Sequence, residues 1–298
     1  MPRKKETNKE IVKEEKKVAT KKETNTQGMN LVDFMALVSV EGANPNGDPS
    51  DANYPRTNSD GLGVITDVCI KRKIRNRIQD MGERIFVQSD NRCDDGCNSL
   101  EQRAKENKYL EIADRNDLIQ KVCEDWYDVR AFGQVFAFGK TSVGIAGPVT
   151  IQDAKSVDTI DIESRSITKS VNGVESAGYS SDRMGMKHSV KYGLYVIKGS
   201  ICPRLAAKTG FSDEDANKLK EALKSLFDGD ESSARPRGSM TIEKLFWWDH
   251  GCKNGLYNPK KVYGQVKIEH DEDVIPSSFD DYKITVDKLD GLSMEELV

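Results

Sequence analysis

The apolar run LVDFMALVSV, from Leu31 to Val40, is the sequence feature that most constrains the fold. It is short, rich in β-forming residues and followed after Glu41 by turn residues, a pattern that predicts a buried strand. Farther along, Thr66 is a candidate N-cap, and apolar residues recur at helical spacing after it, which predicts a helix over residues 67–81. The first ordered elements are therefore a strand and a helix joined by a loop.

The rest of the chain continues this alternation. Ser212 is the predicted N-cap of a second helix, whose apolar face comprises Ala216, Leu219, Leu223, Leu226 and Phe227. Further strands are predicted over residues 129–149, in glycine-punctuated pieces, and over 192–201, 241–248 and 262–268. With insertions set aside, the order β, α, β, β, α, β predicts an α+β fold, an RRM-like or ferredoxin-like antiparallel sheet backed by two helices.

Two polar stretches interrupt this order and are predicted to be insertions. The first, at about residues 85–128, is expected to be finger-like and to contain a helix from about 110 to 126. The second, residues 164–190, is nearly free of large apolar side chains, and Val171 to Val174 has the sequence of a hairpin tip. We expect a protruding, mobile hairpin there, because a long loop inside a compact domain is usually functional or disordered.

The amino-terminal segment differs from the rest in composition. Residues 1–28 hold nine Lys/Arg and five Glu with almost no apolar side chains, so we expect a disordered charged leader followed by a single domain over residues 29–298. The leader is either an electrostatic arm for nucleic acid or a solvated segment without a specific role. Since the whole chain carries −4 and the leader +4, the remaining residues carry −8. This acidic balance neither supports nor excludes an RNA partner.

Motifs for enzyme chemistry are absent from the sequence. The three histidines occur in no metalloprotease motif, and no Gly-x-Ser-x-Gly motif is present. Cys93 and Cys97 lack a second pair at zinc-site spacing, and GKTS at 139–142 lacks the earlier glycine of a phosphate-binding loop. We therefore expect no cofactor, metal site or catalytic residue. Six scattered cysteines, without a signal peptide or a membrane-spanning run, predict a cytoplasmic protein with reduced thiols.

The strongest chemical signal is the segment KRKIRNR, which places five cations on the first predicted helix. Such a density of positive charge can neutralise a phosphate backbone, although an ordinary solvated helix face is the alternative interpretation. The preceding stretch Asn44 to Pro49 is rich in turn residues and could form an anion-binding concavity, or only connect two elements. Both features favour nucleic acid as a partner.

A longer series of motifs points in the same direction. NPNGDP, YPR, GLGVITDVCIKRKIRN, DVRAFGQVFAF, GIAGPV, MGMKH, YGLYVIKGS, AAKTGFSDED, SSARP and FWWDH occur in this order. Together they resemble the Cas7 backbone subunit of type I-C CRISPR Cascade complexes, of the RAMP superfamily, over about residues 31–285. The leader lies outside the resemblance.

The resemblance implies a non-catalytic subunit that polymerises as a homo-oligomer along a CRISPR RNA in antiviral defence. Such subunits present the guide for pairing with target DNA, in an R-loop, together with other Cascade subunits. The protein would then recognise the RNA backbone while base pairing reads the sequence. No membrane partner is expected.

The resemblance also implies where RNA binds. A palm would be formed by the loop after the first strand and the basic helix, and residues 164–190 would be a thumb. Met184 would press on a displaced nucleotide, or would be a packing methionine. The candidate RNA-binding residues are Asn44, Asn46, Gly47, Arg56, Thr66, Lys71, Arg72, Lys73, Arg75 and Arg77 in the palm, and Arg165, Lys169, Arg183, Met184, Lys187 and His188 in the thumb.

Several alternatives remain open. Arg235 and Arg237 in SSARPRG are further contacts or only part of a loop, and Phe246 to Trp248 are expected in the core or a subunit interface. In a different functional class, related type III backbone proteins cut RNA with a loop aspartate, for which Asp48 is the candidate. A third hypothesis is a monomeric single-strand RNA-binding protein without sequence preference.

Overall fold

A computed structural model describes residues 28–139, 141–168 and 184–298, with Met184 described by its backbone alone. The predicted leader, the hairpin tip at 171–174, and the candidate residues Lys169 and Arg183 lie outside the described residues. Where the chain is described, the fold is α+β with a large antiparallel sheet. No helix in these ranges is long and apolar enough to cross a membrane.

The elements follow one another in a strand-rich order. They are β1 (Val32–Ala43), β2 (Gly47–Asp48), β3 (Tyr54–Pro55), β4 (Leu62–Ile65), α1 (Asp67–Asp80), α2 (Leu100–Glu106), α3 (Arg115–Asp125), α4 (Tyr127–Phe132), β5 (Gly133–Phe138), β6 (Thr141–Ala146), β7 (Val149–Ile151), β8 (Ala154–Thr159), β9 (Ile162–Thr168), β10 (Met184–Ile201), α5 (Pro203–Thr209), α6 (Asp213–Lys224), β11 (Met240–Asp249), α7 (Pro259–Tyr263), β12 (Val266–Glu269), β13 (Lys283–Val286) and β14 (Ser293–Leu297).

The large sheet has the strand order β14-β11-β1-β10-β8-β4, and β7 and β9 also pair with β10. Strand β1 is central, since it pairs antiparallel with β10 on one side and with β11 on the other. The register with β10 runs from Val32 opposite Ile201 to Ala43 opposite Val190. Strand β10 extends beyond its pairing with β1, and its residues 184–190 pair with β9 in a two-stranded ribbon of the same sheet.

Both faces of β1 are buried, which explains its continuous rather than alternating apolar sequence. Phe34, Ala36 and Val38 face a cluster that includes α1 and α6, whereas Met35 and Leu37 face a second cluster. The second cluster includes Phe246 and Trp248 of β11 and residues of α7, β12 and β13. The sheet is therefore the middle layer of three, and the tryptophans predicted for the core or an interface lie in the core.

Both predicted N-caps are confirmed, but the second helix ends at Lys224, so Leu226 and Phe227 of its predicted apolar face lie in the turn after it. Helix α1 begins after Thr66, whose Oγ1 accepts a hydrogen bond from Cys69 N at 3.3 Å, and the stripe Ile70, Ile74 and Ile78 is 0–1% exposed. Burial of each isoleucine contributes about 1.5–3 kcal/mol. Helix α6 begins after Ser212, which forms a capping box with Asp215.

Other boundaries predicted from the sequence are wrong. The strand predicted at 262–268 starts only at Val266, because Asn258 caps a helix that opens with Pro259 and buries Val262 against the sheet. The segment starting at Val129 was predicted as a strand but is helical until Phe132. Gly133 then takes a φ of 78°, which ends α4.

The region around residues 85–128 contains a hydrophobic cluster of its own. Phe86, Tyr109, Trp126 and Phe136 pack there with parts of α2, α3, β5 and β6. The helix predicted from about 110 begins only at Arg115, and residues 109–111 form a 3₁₀ turn. This third cluster packs the segment around residues 85–128 into a hydrophobic core of its own.

Candidate nucleic-acid interface

Helix α1 carries all five cations of the segment KRKIRNR, and each has a partner inside the chain. Lys71 Nζ pairs with Asp67 at 2.8 Å, Arg72 Nη1 donates to Val87 O at 2.7 Å, Lys73 pairs with Asp230, Arg75 Nε donates to Asp128 at 3.0 Å, and Arg77 Nε donates to Ser225 Oγ at 2.8 Å. The charge crowding on the helix is therefore offset by acidic and polar neighbours. Val87 and Asp128 hold Arg72 and Arg75, whereas Ser225 and Asp230 of the segment 225–239 hold Arg77 and Lys73.

Lys73 differs from the other candidates because its side chain is only 4% exposed. Burial lowers the pKa of its ammonium, an effect that the neighbouring Asp230 opposes. Asp230 also accepts from Arg235 Nε at 3.0 Å, so one carboxylate joins α1 to the 225–239 segment. This geometry does not present the ammonium of Lys73 to a ligand.

Asp128 organises the opposite flank. It is fully buried and accepts from Phe86 N at 2.7 Å, from Val87 N at 3.1 Å and from Arg75 Nε. The carbonyl of Val87 in turn holds Arg72, whose pKa is lowered by burial and by the nearby charge of Arg75. Arg72 and Arg75 are thus fixed relative to each other through one short backbone segment.

The loop after β1 is tied to the amino terminus of α1. Asn46 Oδ1 accepts from Thr66 N at 2.9 Å and from Thr66 Oγ1 at 3.0 Å. Asn44 is buried, and its Nδ2 donates to Asn53 O at 2.6 Å. These side-chain amides fix the loop beside the basic helix and make Asn46 and Thr66 neighbours.

The backbone of this loop contains two left-handed residues. Left-handed conformations occur at Ala52 and Asn53, with φ of 47° and 59°, rather than at Gly47. Gly47 is required for space instead, because a Cβ there would lie 2.9 Å from Asn53 O and 3.1 Å from Asn44 Nδ2. Gly47 therefore permits the close approach of Asn44 and Asn53 and does not supply a positive φ.

Asp48 is held on both carboxylate oxygens. Oδ1 accepts from the N and Oγ of Ser50 at 2.9 and 2.7 Å, and Oδ2 accepts from Arg56 Nη1 at 2.9 Å. The Ser50 hydrogen bonds, with a smaller contribution from Arg56, lower the pKa of Asp48. Among the described residues, no cluster of three metal-ligating side chains includes it. These contacts are those of a loop-stabilising aspartate.

The ribbon of β9 and β10 brings the described thumb residues beside the same loop. Lys187 lies opposite Arg165 on one face, and His188 lies opposite Ser164 on the other, with 2.7 Å between His188 Nδ1 and Ser164 Oγ. The His188 ring contacts Tyr54 with centroids 4.9 Å apart. Arg165 is 71% exposed and pairs with Glu163, and the backbone of Met184 pairs with Thr168.

The basic helix, the loop at 44–56 and the ribbon thus form one continuous surface. The model of the family described as CRISPR-associated protein Cas7 matches residues 30–287. The chain belongs to the Cas7 family. A curated relative, the CRISPR-associated protein Cas7 of Haloferax volcanii, is 26% identical over 217 residues. This alignment covers 64% of the chain and 62% of the relative, so the chain spans less than two thirds of the relative's length.

Solved structures show weaker similarity to this Cas7 family member. A chain of a CRISPR RNA-guided surveillance complex in a pre-nicking state has a TM-score of 0.46 at 14% identity, covering 73% of this chain and 78% of that one. Another surveillance complex gives 0.43 at 16% identity, with 76% of each chain covered. A Type III-B Cmr-beta complex bound to cognate target RNA gives 0.41 at 12% identity, covering 80% and 65%. The family assignment rests on the sequence match.

Three residues that organise this Cas7 surface were not among the candidates. Asp128 begins the motif DVRAFGQVFAF and Asp230 lies in the acidic run DGDE, but neither pattern indicates a contact with the basic helix. Arg235 was recognised only as a contact or a loop residue. The signal that could have singled out the aspartates is the excess of cations on α1, since five like charges require partners.

The opposite face of the sheet has a different character. A cavity of about 820 Å³ there is lined by Tyr192 and Leu194, by the loop at 270–277 and by the acidic residues Glu41, Asp158, Asp161 and Glu272. The segment from Glu269 to Val298 holds ten Asp/Glu and two Lys, a net −8. Such a field disfavours a phosphate backbone, so the basic helix is the better nucleic-acid surface of this Cas7 chain.

Proposed function

We propose that the chain is a non-catalytic backbone subunit of a CRISPR RNA-guided surveillance complex. It would bind CRISPR RNA, polymerise along it with other copies, and present the guide for pairing with target DNA alongside other Cascade subunits. The observation that carries this proposal is the match of residues 30–287 to the Cas7 family. The finer assignment to type I-C is supported by the ordered series of motifs in the sequence.

We also propose a ferredoxin-like arrangement, the one found in RRM domains. The central strands β11, β1, β10 and β8 lie side by side in this order. Along the chain they are the fourth, first, third and second of these four strands. All three neighbouring pairs are antiparallel, and α1 and α6 pack on the same cluster. This order is what a β, α, β, β, α, β chain gives when its two halves interlock.

In this proposal RNA follows the surface from the loop at 44–56 over α1 to the ribbon of β9 and β10. The contacts would be mostly to phosphates, which give affinity without sequence preference. Lys73 stabilises the site from within and is not a contact. The proposed contacts are Asn44, Asn46, Gly47, Arg56, Thr66, Lys71, Arg72, Arg75, Arg77, Arg165, Lys169, Arg183, Met184, Lys187 and His188.

The domain organisation forms part of the proposal. Residues 29–298 would be one RAMP domain, with a finger-like insertion at about 85–128 and a thumb at 164–190, preceded by the charged leader. The antiparallel pairing of Thr168 with Met184 and of Ile162 with Val190 supports a hairpin that leaves and rejoins the sheet at one place.

The proposal is tested by purifying the chain with its bound nucleic acid and sequencing that RNA. We expect CRISPR RNA spacers of many sequences, bound without cleavage. Incubating the same complexes with complementary RNA and divalent metal tests whether they cleave RNA, as a type III ribonuclease would. Cleavage that Asp48→Ala abolishes would overturn the non-catalytic assignment, and the contacts of Asp48 with Ser50 and Arg56 support a structural role for it.

A further inference from the structure

Four partly exposed arginines differ in how they bind a carboxylate. Arg92 binds Asp80 through both terminal nitrogens, with Nη1 at 2.6 Å and Nη2 at 3.3 Å. Arg130 binds Asp215 through Nε at 2.9 Å and Nη2 at 2.8 Å. In both, two donors of the guanidinium are used on one carboxylate of the same chain, so these arginines are structural.

Arg75 and Arg235 are held differently. Arg75 donates only Nε, to Asp128, and Arg235 donates only Nε, to Asp230, each at 3.0 Å. Within the described residues, the terminal nitrogens of both arginines have no hydrogen-bond partner, and none is a fully buried unpartnered atom. Their terminal nitrogens therefore reach solvent while the side chains stay anchored.

The two carboxylates are themselves fixed. Asp128 is 0% exposed and takes two backbone amide hydrogen bonds, and the side chain of Asp230 is 13% exposed and pairs with buried Lys73. At about 100° per residue, Lys73 and Arg75 lie on opposite flanks of α1. Each flank therefore carries one arginine whose orientation is set by a carboxylate beneath it.

We propose that Asp128 and Asp230 are positioning residues, which hold Nε so that the terminal nitrogens of Arg75 and Arg235 bind RNA phosphates on the two flanks of α1. This inference rests on the proposed function and adds Arg235 to its contacts. The carboxylate neutralises much of the guanidinium's charge, so each arginine contributes mainly through a directed pair of hydrogen bonds. A planar fork matches two phosphate oxygens, which an ammonium cannot do.

The positioning role and simple charge counting predict opposite changes in RNA affinity when Asp128 is neutralised. Asp128→Asn removes one negative charge, and if only charge mattered the affinity for RNA would rise. If Asp128 positions Arg75, the affinity falls. Asp215→Asn is the matched control, because it removes a similarly buried carboxylate, 4% exposed, from Arg130, whose terminal nitrogens both have partners among the described residues.

The experiment measures the affinity for a fluorescein-labelled, unstructured RNA by anisotropy at several salt concentrations, with the free energy of unfolding of each variant. We expect Asp128→Asn to bind about tenfold more weakly, and Arg75→Lys and Arg235→Lys to lose a similar factor while keeping the wild-type salt slope. Asp215→Asn and Arg92→Lys should bind within about twofold of wild type.

The outcomes separate the inference from the function on which it rests. If wild type binds and Asp128→Asn binds as tightly or more tightly, the positioning role is wrong. The same conclusion follows if Asp215→Asn weakens binding as much as Asp128→Asn, because the effect would then come from lost stability. If the wild-type chain does not bind RNA, the proposed function fails and the inference falls with it.

Discussion

The buried pair of Lys73 and Asp230 should respond unequally to removal of its two members. Both side chains are nearly excluded from water, at 4% and 13% exposure, but Asp230 has a second cation in Arg235 whereas Lys73 has no second carboxylate among its hydrogen-bond partners in the described chain. Loss of the carboxylate therefore leaves a buried charge unpaired, and loss of the ammonium does not.

The magnitudes follow from this asymmetry. Asp230→Asn keeps the shape but leaves the Lys73 ammonium uncompensated, and breaking a buried pair in this way costs about 3–5 kcal/mol. Lys73→Met keeps the apolar stem, and Asp230 retains Arg235, so we expect a loss of about 1 kcal/mol. In the double variant Lys73→Met/Asp230→Asn the buried charge is gone, and stability should exceed that of Asp230→Asn alone.

Guanidinium denaturation measures these differences, through the shift of the midpoint at an unchanged slope. Asp228→Asn is a suitable control, since the side chain of Asp228 is 71% exposed and should contribute less than about 1 kcal/mol. A larger loss for Lys73→Met than for Asp230→Asn, or additivity in the double variant, would refute the reasoning.

Two further predictions concern other parts of the fold. Hydrogen bonds to the backbone of Asp271 and to Asp158 raise the pKa of His270 above 6.5. The contribution of His270 to stability is therefore present below pH 6.5 and is lost as pH rises through the folded-state pKa. NMR titration of ¹³C-labelled histidine should show the raised pKa, and Asp158→Asn should lower it. Gly47→Ala should cost about 1–3 kcal/mol, because its Cβ would meet the loop backbone, whereas Gly144→Ala, with open space around it, should cost less than about 1 kcal/mol by thermal denaturation.

The elements that the sequence predicted well are those specified by local signals. Thr66 and Ser212 cap their helices through residues three positions away, and the isoleucine stripe of α1 reports its own buried face. The predicted strand at residues 262–268 is present, but its start was wrong because Val262 is compatible with either a strand or a buried helix, and the helix begins at Pro259.

The functional surface could be predicted only in part. The cations of α1 were visible in the sequence, but their partners Asp128 and Asp230 lie 53 and 157 residues away along the chain. These long-range contacts determine that the Lys73 ammonium is buried on Asp230, whereas Arg75 uses only Nε on Asp128. The approach of Tyr54 to His188 likewise arises only when β10 pairs with β9 beside the loop.

The central claim is that copies of this chain assemble along a guide RNA. Its most direct test is to assemble the chain on CRISPR RNAs with spacers of increasing length and to count copies per complex by mass photometry. We expect the copy number to rise in steps, in proportion to spacer length. One copy at every length would contradict it and would indicate a monomeric RNA-binding protein.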